Sequence, residues 1–282
     1  QQFSESSYKY ISSGLRQAEE LPEERKFRVI LNLLILADSL EDPRLIDLAI
    51  AKLKDNNKVI RYWAVRCVTN PALLKKLNPN EGANLRLLQR IAEQLKELVD
   101  SSEPEILALI AEFTAHTRIP EGEDLLGQIA DIRIKRYADW TVKYELLDIS
   151  VLRLLYDRLA PEQVSRSPKP AGAFRFAQLY SYAMQRYIKG RDFLSDNSKH
   201  YLASVLVETE DKCIGKLLGR PQSTIKRAVE QSDDSLLSQE YNRLFGDQSR
   251  AGELTLKLNI DYGADPSGKK RIAPLTLPGP PK

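Results

Sequence analysis

Apolar residues along most of this chain recur every three to four positions, the spacing that lines up one face of an α-helix. Phe27, Ile30, Leu31, Leu34 and Leu40 form one such stripe. Asp42-Pro43 then starts another helix, with a capping carboxylate followed by proline at the first helical position. That helix carries Leu45, Ile46, Leu48, Ala49 and Leu53 on its apolar face and ends at Asp55-Asn56-Asn57. The next runs from Val59 to Val68 and stops before Asn70-Pro71. Arg86–Val99 repeats the pattern through Leu87, Leu88, Ile91, Leu95 and Leu98. Asp100–Pro104 is a second capped, proline-containing loop. It leads into Ile106, Leu107, Leu109, Ile110 and Phe113, and then into helices over Glu123–Tyr137 and Thr141–Leu159.

The turns at Asp55 and Asp100 lie 45 residues apart. A paired-helix unit recurring every 40–47 residues, roughly, is the mark of a helical solenoid. One hairpin cannot cover its own apolar face, so neighbours stack. The segment Asp55-Asn56-Asn57-Lys58-Val59-Ile60-Arg61-Tyr62-Trp63-Ala64 resembles the inter-helix turn and second helix of HEAT repeats. The resemblance implies that Asp55 and Arg61 pair, that Ile60 and Ala64 face the core, and that Trp63 belongs to the repeat signature. The match at Asp100–Phe113 is poorer, because Leu107 stands where the family has arginine. A third unit at Glu123–Leu159 fits by helix length and spacing alone. The family's fold, a right-handed α-α superhelix of stacked hairpins with armadillo-like relatives, is implied for residues 1–160. So is its usual role as a scaffold that offers a surface to a protein partner.

Pro161–Gly172, rich in proline, reads as a boundary. Residues 161–245 read as an irregular helical continuation of the stack. In Ala173–Ile188, Phe176, Tyr180 and Tyr187 share one helical stripe, and Arg175 and Arg186 lie nearby. That stripe is either core or an exposed binding strip of Tyr and Arg. Ser198–Leu218 reads as one helix. Gly215, Gly219 and Ile225 then occupy the small, turn and locking positions of a helix-turn-helix over residues 210–230. In that arrangement Thr224, Lys226 and Arg227 would face a nucleic-acid groove. A helix capped by Gly219 with a new helix beginning at Ser223 describes the same residues. Residues 246–282 gather glycine and proline. Leu254, Leu256, Leu258 and Ile260 alternate as in one short strand, and Asp265–Lys282 reads as a flexible tail.

Composition narrows the functions. Apolar residues make up 42% of the 282 positions and charged residues 29%, too apolar for a disordered chain. The net charge of +3 carries no concentrated basic footprint. The two histidines, His116 and His200, and the two cysteines, Cys67 and Cys213, are isolated from one another, so no standard zinc cluster or cofactor is expected. The cysteines read as buried thiols or, in an exported chain, one disulfide. Phosphate-binding glycine loops and the nucleophile elbow are absent from the sequence. Acidic groups such as Glu19-Glu20 and Glu121–Asp124 fall at helix starts and on polar faces, where water and the helix dipole satisfy them. The longest apolar run, Val29–Ala37, is broken by Asn32 and falls short of the roughly 20 residues of a membrane span. Gln1 at the start fits a cleaved secretion signal or a trimmed chain, so the compartment stays open between cytoplasmic and exported. The expectation is an all-α, non-catalytic protein-interaction scaffold. The alternative is a DNA- or RNA-binding regulator acting through residues 210–230.

Overall fold

The computed structural model describes residues 2–77, 80–159, 170–247, 249–265 and 267–281. It is all-α: isolated bridges join Gly246 to Ala251 and Ala264 to Lys270, and no sheet forms among the described residues. The chain divides into two compact units, Gln1–Gln128 and Ile129–Lys282. The boundary expected at residues 160–161 lies outside the described residues. No described helix is long and apolar enough to cross a membrane.

The first unit holds α1 (Gln2–Ala18), α2 (Glu23–Leu40), α3 (Ile46–Ile50), α4 (Lys58–Thr69), α5 (Pro71–Lys76), α6 (Gly82–Lys96), α7 (Pro104–His116) and the start of α8 (Pro120–Ala138). Its elements start where the capping residues stand. Asp42 accepts from the Arg44 N–H ahead of a short 3-10 turn. Asn57 accepts from Val59 and Ile60 at the start of α4, and Asn70 from Ala72 and Leu73 at the start of α5. Each such cap is worth about 1 kcal/mol. Helix α2 packs on α1 and α4, and α4 packs in turn on α7. Ile30, Leu34, Ile60, Ala64, Val68, Leu107 and Ile110 fill the space between them, all of them buried. Asp38, at the end of α2, ties three elements together. Its carboxylate takes Arg66 Nε of α4 at 3.0 Å and Asn70 Nδ2 at 2.8 Å.

The second unit contains α9 (Leu147–Leu159), α10 (Pro170–Lys189), α11 (Asp196–Thr209), α12 (Gly215–Leu218), α13 (Thr224–Glu230), α14 (Asp234–Phe245) and α15 (Glu253–Lys257). Helix α10 is its axis and packs against α9, α11 and α14. Phe176 and Tyr180 are fully buried there and Tyr187 half-buried, so the aromatic stripe is core.

Three expected elements differ. The helix expected from Thr141 begins only at Leu147, because Trp140 and Tyr144 take positive φ, of 58° and 54°, and break the run. The Ser198–Leu218 helix is interrupted at Glu210–Ile214 by a π-helical turn. The short strand at 253–260 is not seen: Glu253–Lys257 is a helix. Its leucines alternate in sequence, but a strand needs a partner, and no sheet forms among the described residues. Burying Leu254 and Thr255 together needs helical spacing, which leaves Leu256 67% exposed. The tail also departs from expectation. It is non-helical but not loose, and residues 274–278 run along α10.

Candidate functional site

Residues 274–278, Pro274-Leu275-Thr276-Leu277-Pro278, lie along α10, held through their main chain. Gln178 is fully buried and offers both ends of its amide to one residue. Its Oε1 accepts from the Leu275 N–H at 2.8 Å, and its Nε2 donates to the Leu275 carbonyl at 3.3 Å. Two helical turns on, Gln185 Oε1 accepts from the Leu277 N–H at 2.7 Å while its Nε2 donates to the Leu275 carbonyl at 3.1 Å. Lys189 Nζ donates to the Leu277 carbonyl, and Trp140 Nε1 donates to the Pro278 carbonyl at 3.0 Å. Gln178, Gln185 and Lys189 are spaced by seven and four residues, which places them on one stripe of α10. Leu275 and Leu277 present their amides to the same helix, the period of two of an extended chain.

Gln185 is fixed from behind. Gln185 Nε2 also reaches Ser181 Oγ at 3.0 Å and Tyr241 Oη at 3.1 Å, and those two oxygens lie 3.0 Å apart. Tyr241 comes from α14, so two helices set the orientation of one amide. A buried amide without partners costs about 1–3 kcal/mol. The tail's main chain satisfies that requirement here.

Beneath the tail's end lies a cluster of buried charges. Arg133 is 0% exposed and forks onto Asp148, with Nε at 2.7 Å and Nη2 at 2.9 Å. It also donates to the Lys143 carbonyl at 2.9 Å, and Tyr137 Oη gives Asp148 another hydrogen bond at 2.7 Å. Burial pulls the Arg133 proton affinity down, but the Asp148 charge outweighs it and holds the guanidinium above its usual range. Arg186 is 4% exposed and less well matched. Its Nη2 lies 3.8 Å from Glu145, while its Nε and Nη1 make no hydrogen bond among the described residues. The guanidinium instead sits over aromatic faces, 4.9 Å from the Trp140 ring centroid and 5.9 Å from that of Tyr137. Desolvation pushes Arg186 below its usual range and Glu145 above its own. Besides its edge-on contact with Phe193, Trp140 thus has two polar partners, with Arg186 over its ring and the tail carbonyl at its indole N–H. Its left-handed backbone, costly for a residue with a side chain, is the conformation in which both are made.

The residues singled out from sequence fall elsewhere. In the first unit, Arg61 Nη1 donates to the carbonyls of Asp55, at 2.8 Å, and Asn56, at 3.3 Å. The pairing implied by the HEAT resemblance therefore runs through the Asp55 main chain, while the Asp55 carboxylate caps the Asn57 N–H. Ile60 and Ala64 are buried. Trp63 is half-buried, edge-on to Tyr62 and beneath Arg66, whose guanidinium lies 5.2 Å from its ring centroid. Cys67 and Cys213 are free and buried, and burial pushes both thiols up to about 12.

In the second unit, Gly219 adopts φ 72°, Ile225 is buried, and Lys226 and Arg227 are exposed with Thr224 half-buried. The exposed Gly219 turn borders an open pocket of about 360 Å³ beside Lys216, Arg220 and Gln222. The surface there is mixed in sign: Lys212 pairs with Asp211, and Arg220 with Glu253. What organises the segment is Glu210, 1% exposed, whose carboxylate accepts from the Ile225 and Lys226 N–H groups at 2.8 Å each. A buried carboxylate thereby caps α13 from the π-helical turn.

Sequence reasoning missed Gln178, Gln185 and Trp140. Glutamines at positions i and i+7 on a helix whose buried positions are mostly apolar or aromatic were the available signal. The chain matches no protein-family model, no curated protein and no solved structure.

Proposed function

We propose that this chain is a non-catalytic protein-interaction module, HEAT-like in its first half, that receives an extended segment of a protein partner along α10. The observation that carries this reading is the paired glutamine contact, in which Gln178 and Gln185 address the main chain of Leu275 and Leu277. Side-chain amides that bond to peptide N–H and C=O groups give affinity for any extended chain, while pockets beside them give selectivity. The helix pairs of the first unit support the scaffold reading. Lys58 at the start of α4 meets Glu103 just before α7, 2.6 Å away and 45 residues on, as neighbouring repeats would place them.

The test is a fluorescein-labelled peptide copying residues 272–281, titrated by anisotropy. The receptor is the full chain carrying Leu277→Asp, which keeps its own tail out of the groove. Saturable binding is expected, and adding Gln178→Ala and Gln185→Ala should abolish it. Equal binding with and without those two substitutions would remove α10 as the receiving surface.

A further inference from the structure

The tail is a template for what the groove prefers. Pro274 is buried and Leu277 is 1% exposed, whereas Leu275 is half-buried and the side chains of Thr276 and Pro278 face outward. The N–H groups of Leu275 and Leu277 are both donated to glutamine oxygens, so neither position accepts proline. Proline at 274 gives up no hydrogen bond and holds its own φ near the extended range. The selective elements are thus a buried proline and, three residues on, a buried leucine. Position 276 is free and position 275 is open to any aliphatic residue.

Resting on the groove reading above, we propose that the partner segment has the pattern Pro-Leu-x-Leu in extended form, and that residues 274–277 are its resident competitor. Partner binding then means exchange. The incoming segment takes over the amides of Gln178 and Gln185, the Lys189 ammonium and the Trp140 indole as the chain's own tail leaves. A tethered competitor acts at an effective concentration in the millimolar range, roughly, so a free peptide of micromolar affinity is held off by on the order of 10³-fold.

The experiment compares three peptides on two receptors. The peptides copy residues 272–281 unchanged, with Leu277→Ala, and with Thr276→Ala. The receptors are the full chain and the full chain carrying Leu277→Asp. A second receptor variant, Leu275→Pro, unseats the tail without adding charge and replaces the first if its circular dichroism melt shows misfolding. The unchanged peptide should bind the unseated chain on the order of 10³-fold more tightly than the intact one. The Leu277→Ala peptide should lose about tenfold or more, as a buried leucine side chain warrants, and the Thr276→Ala peptide should match the original. Equal affinity for intact and unseated chains would overturn the resident competitor. Equal affinity of the Leu277→Ala peptide would overturn the sequence pattern while leaving the groove in place. No binding of any peptide to either unseated chain would overturn both this inference and the groove reading on which it rests.

Discussion

The two units of this chain handle polar groups in opposite ways. In the first, Asp38 is the only buried charged residue among those described, and Thr69, Thr114 and Thr117 bond to carbonyls three or four residues back in their own helices. Its ion pairs, such as Lys52–Glu19, Lys54–Glu97 and Lys76–Glu41, lie toward the surface. In the second, Arg133, Asp148, Glu145, Arg186, Glu210, Glu240, Gln178 and Gln185 are all buried. Several of them serve long-range purposes: Glu210 caps another helix, and the glutamines hold a segment some 90 positions away in sequence, Gln185 and Leu277 being 92 apart. Surface pairs add little and are easily replaced, whereas buried polar groups must be matched or they destabilise. The first unit thus keeps its charges toward water, and the second buries charges and amides that must be matched across elements.

The contrast is broken most sharply at Asp148. Asp148→Ala strands the Arg133 guanidinium and the Tyr137 hydroxyl and should cost about 3–5 kcal/mol in denaturant unfolding. The double change Arg133→Leu and Asp148→Leu should recover most of that loss, because a paired charge and an apolar pair of similar size are close in energy. Next in size, Gln178→Ala with Gln185→Ala should cost about 1–3 kcal/mol and hasten tryptic cleavage after Lys270 and Arg271, as the tail beyond them comes free. In the first unit, Trp63→Ala should cost about 2 kcal/mol, less than the loss of a fully buried ring, because this one is only partly buried. Arg61→Ala should cost about 1 kcal/mol through its two carbonyl contacts. The smallest effect is at Glu19, whose hydrogen bonds to Lys26 and Lys52 lower its pKa from 4.5 to about 2. A lowered carboxylate stabilises above its unfolded pKa and loses that contribution as pH falls through its folded one. Glu19→Gln should therefore lower the melting temperature slightly at neutral pH and leave it unchanged near pH 2. The difference should close between pH 4.5 and 2.

Helix content was legible in the sequence because it follows from local rules: apolar spacing, Asp42, Asn57 and Asn70 as caps, and proline at first positions. The start of α9 and the break at Glu210–Ile214 were not legible, since both depend on side chains that bond across the fold, Arg133 to the Lys143 carbonyl and Glu210 to the start of α13. The strand read at 253–260 failed for the same kind of reason, as alternation in sequence says nothing about whether a partner strand is present. Arg61 was legible as a turn residue, though its partner proved to be a carbonyl. The α10 groove was hidden because both of its halves looked ordinary: a core helix with a few polar positions, and a proline-rich tail. Only their juxtaposition, which no local pattern encodes, makes the site.

Amide hydrogen exchange at Leu275 and Leu277 tests the central claim most directly. In the intact chain both amides should exchange slowly, protected by Gln178 and Gln185, and both should become fast in the Gln178→Ala, Gln185→Ala chain while the core amides of α10 stay protected. Fast exchange at both positions in the intact chain would contradict the account, because the glutamines would then hold no tail and α10 would have no recognised segment to show.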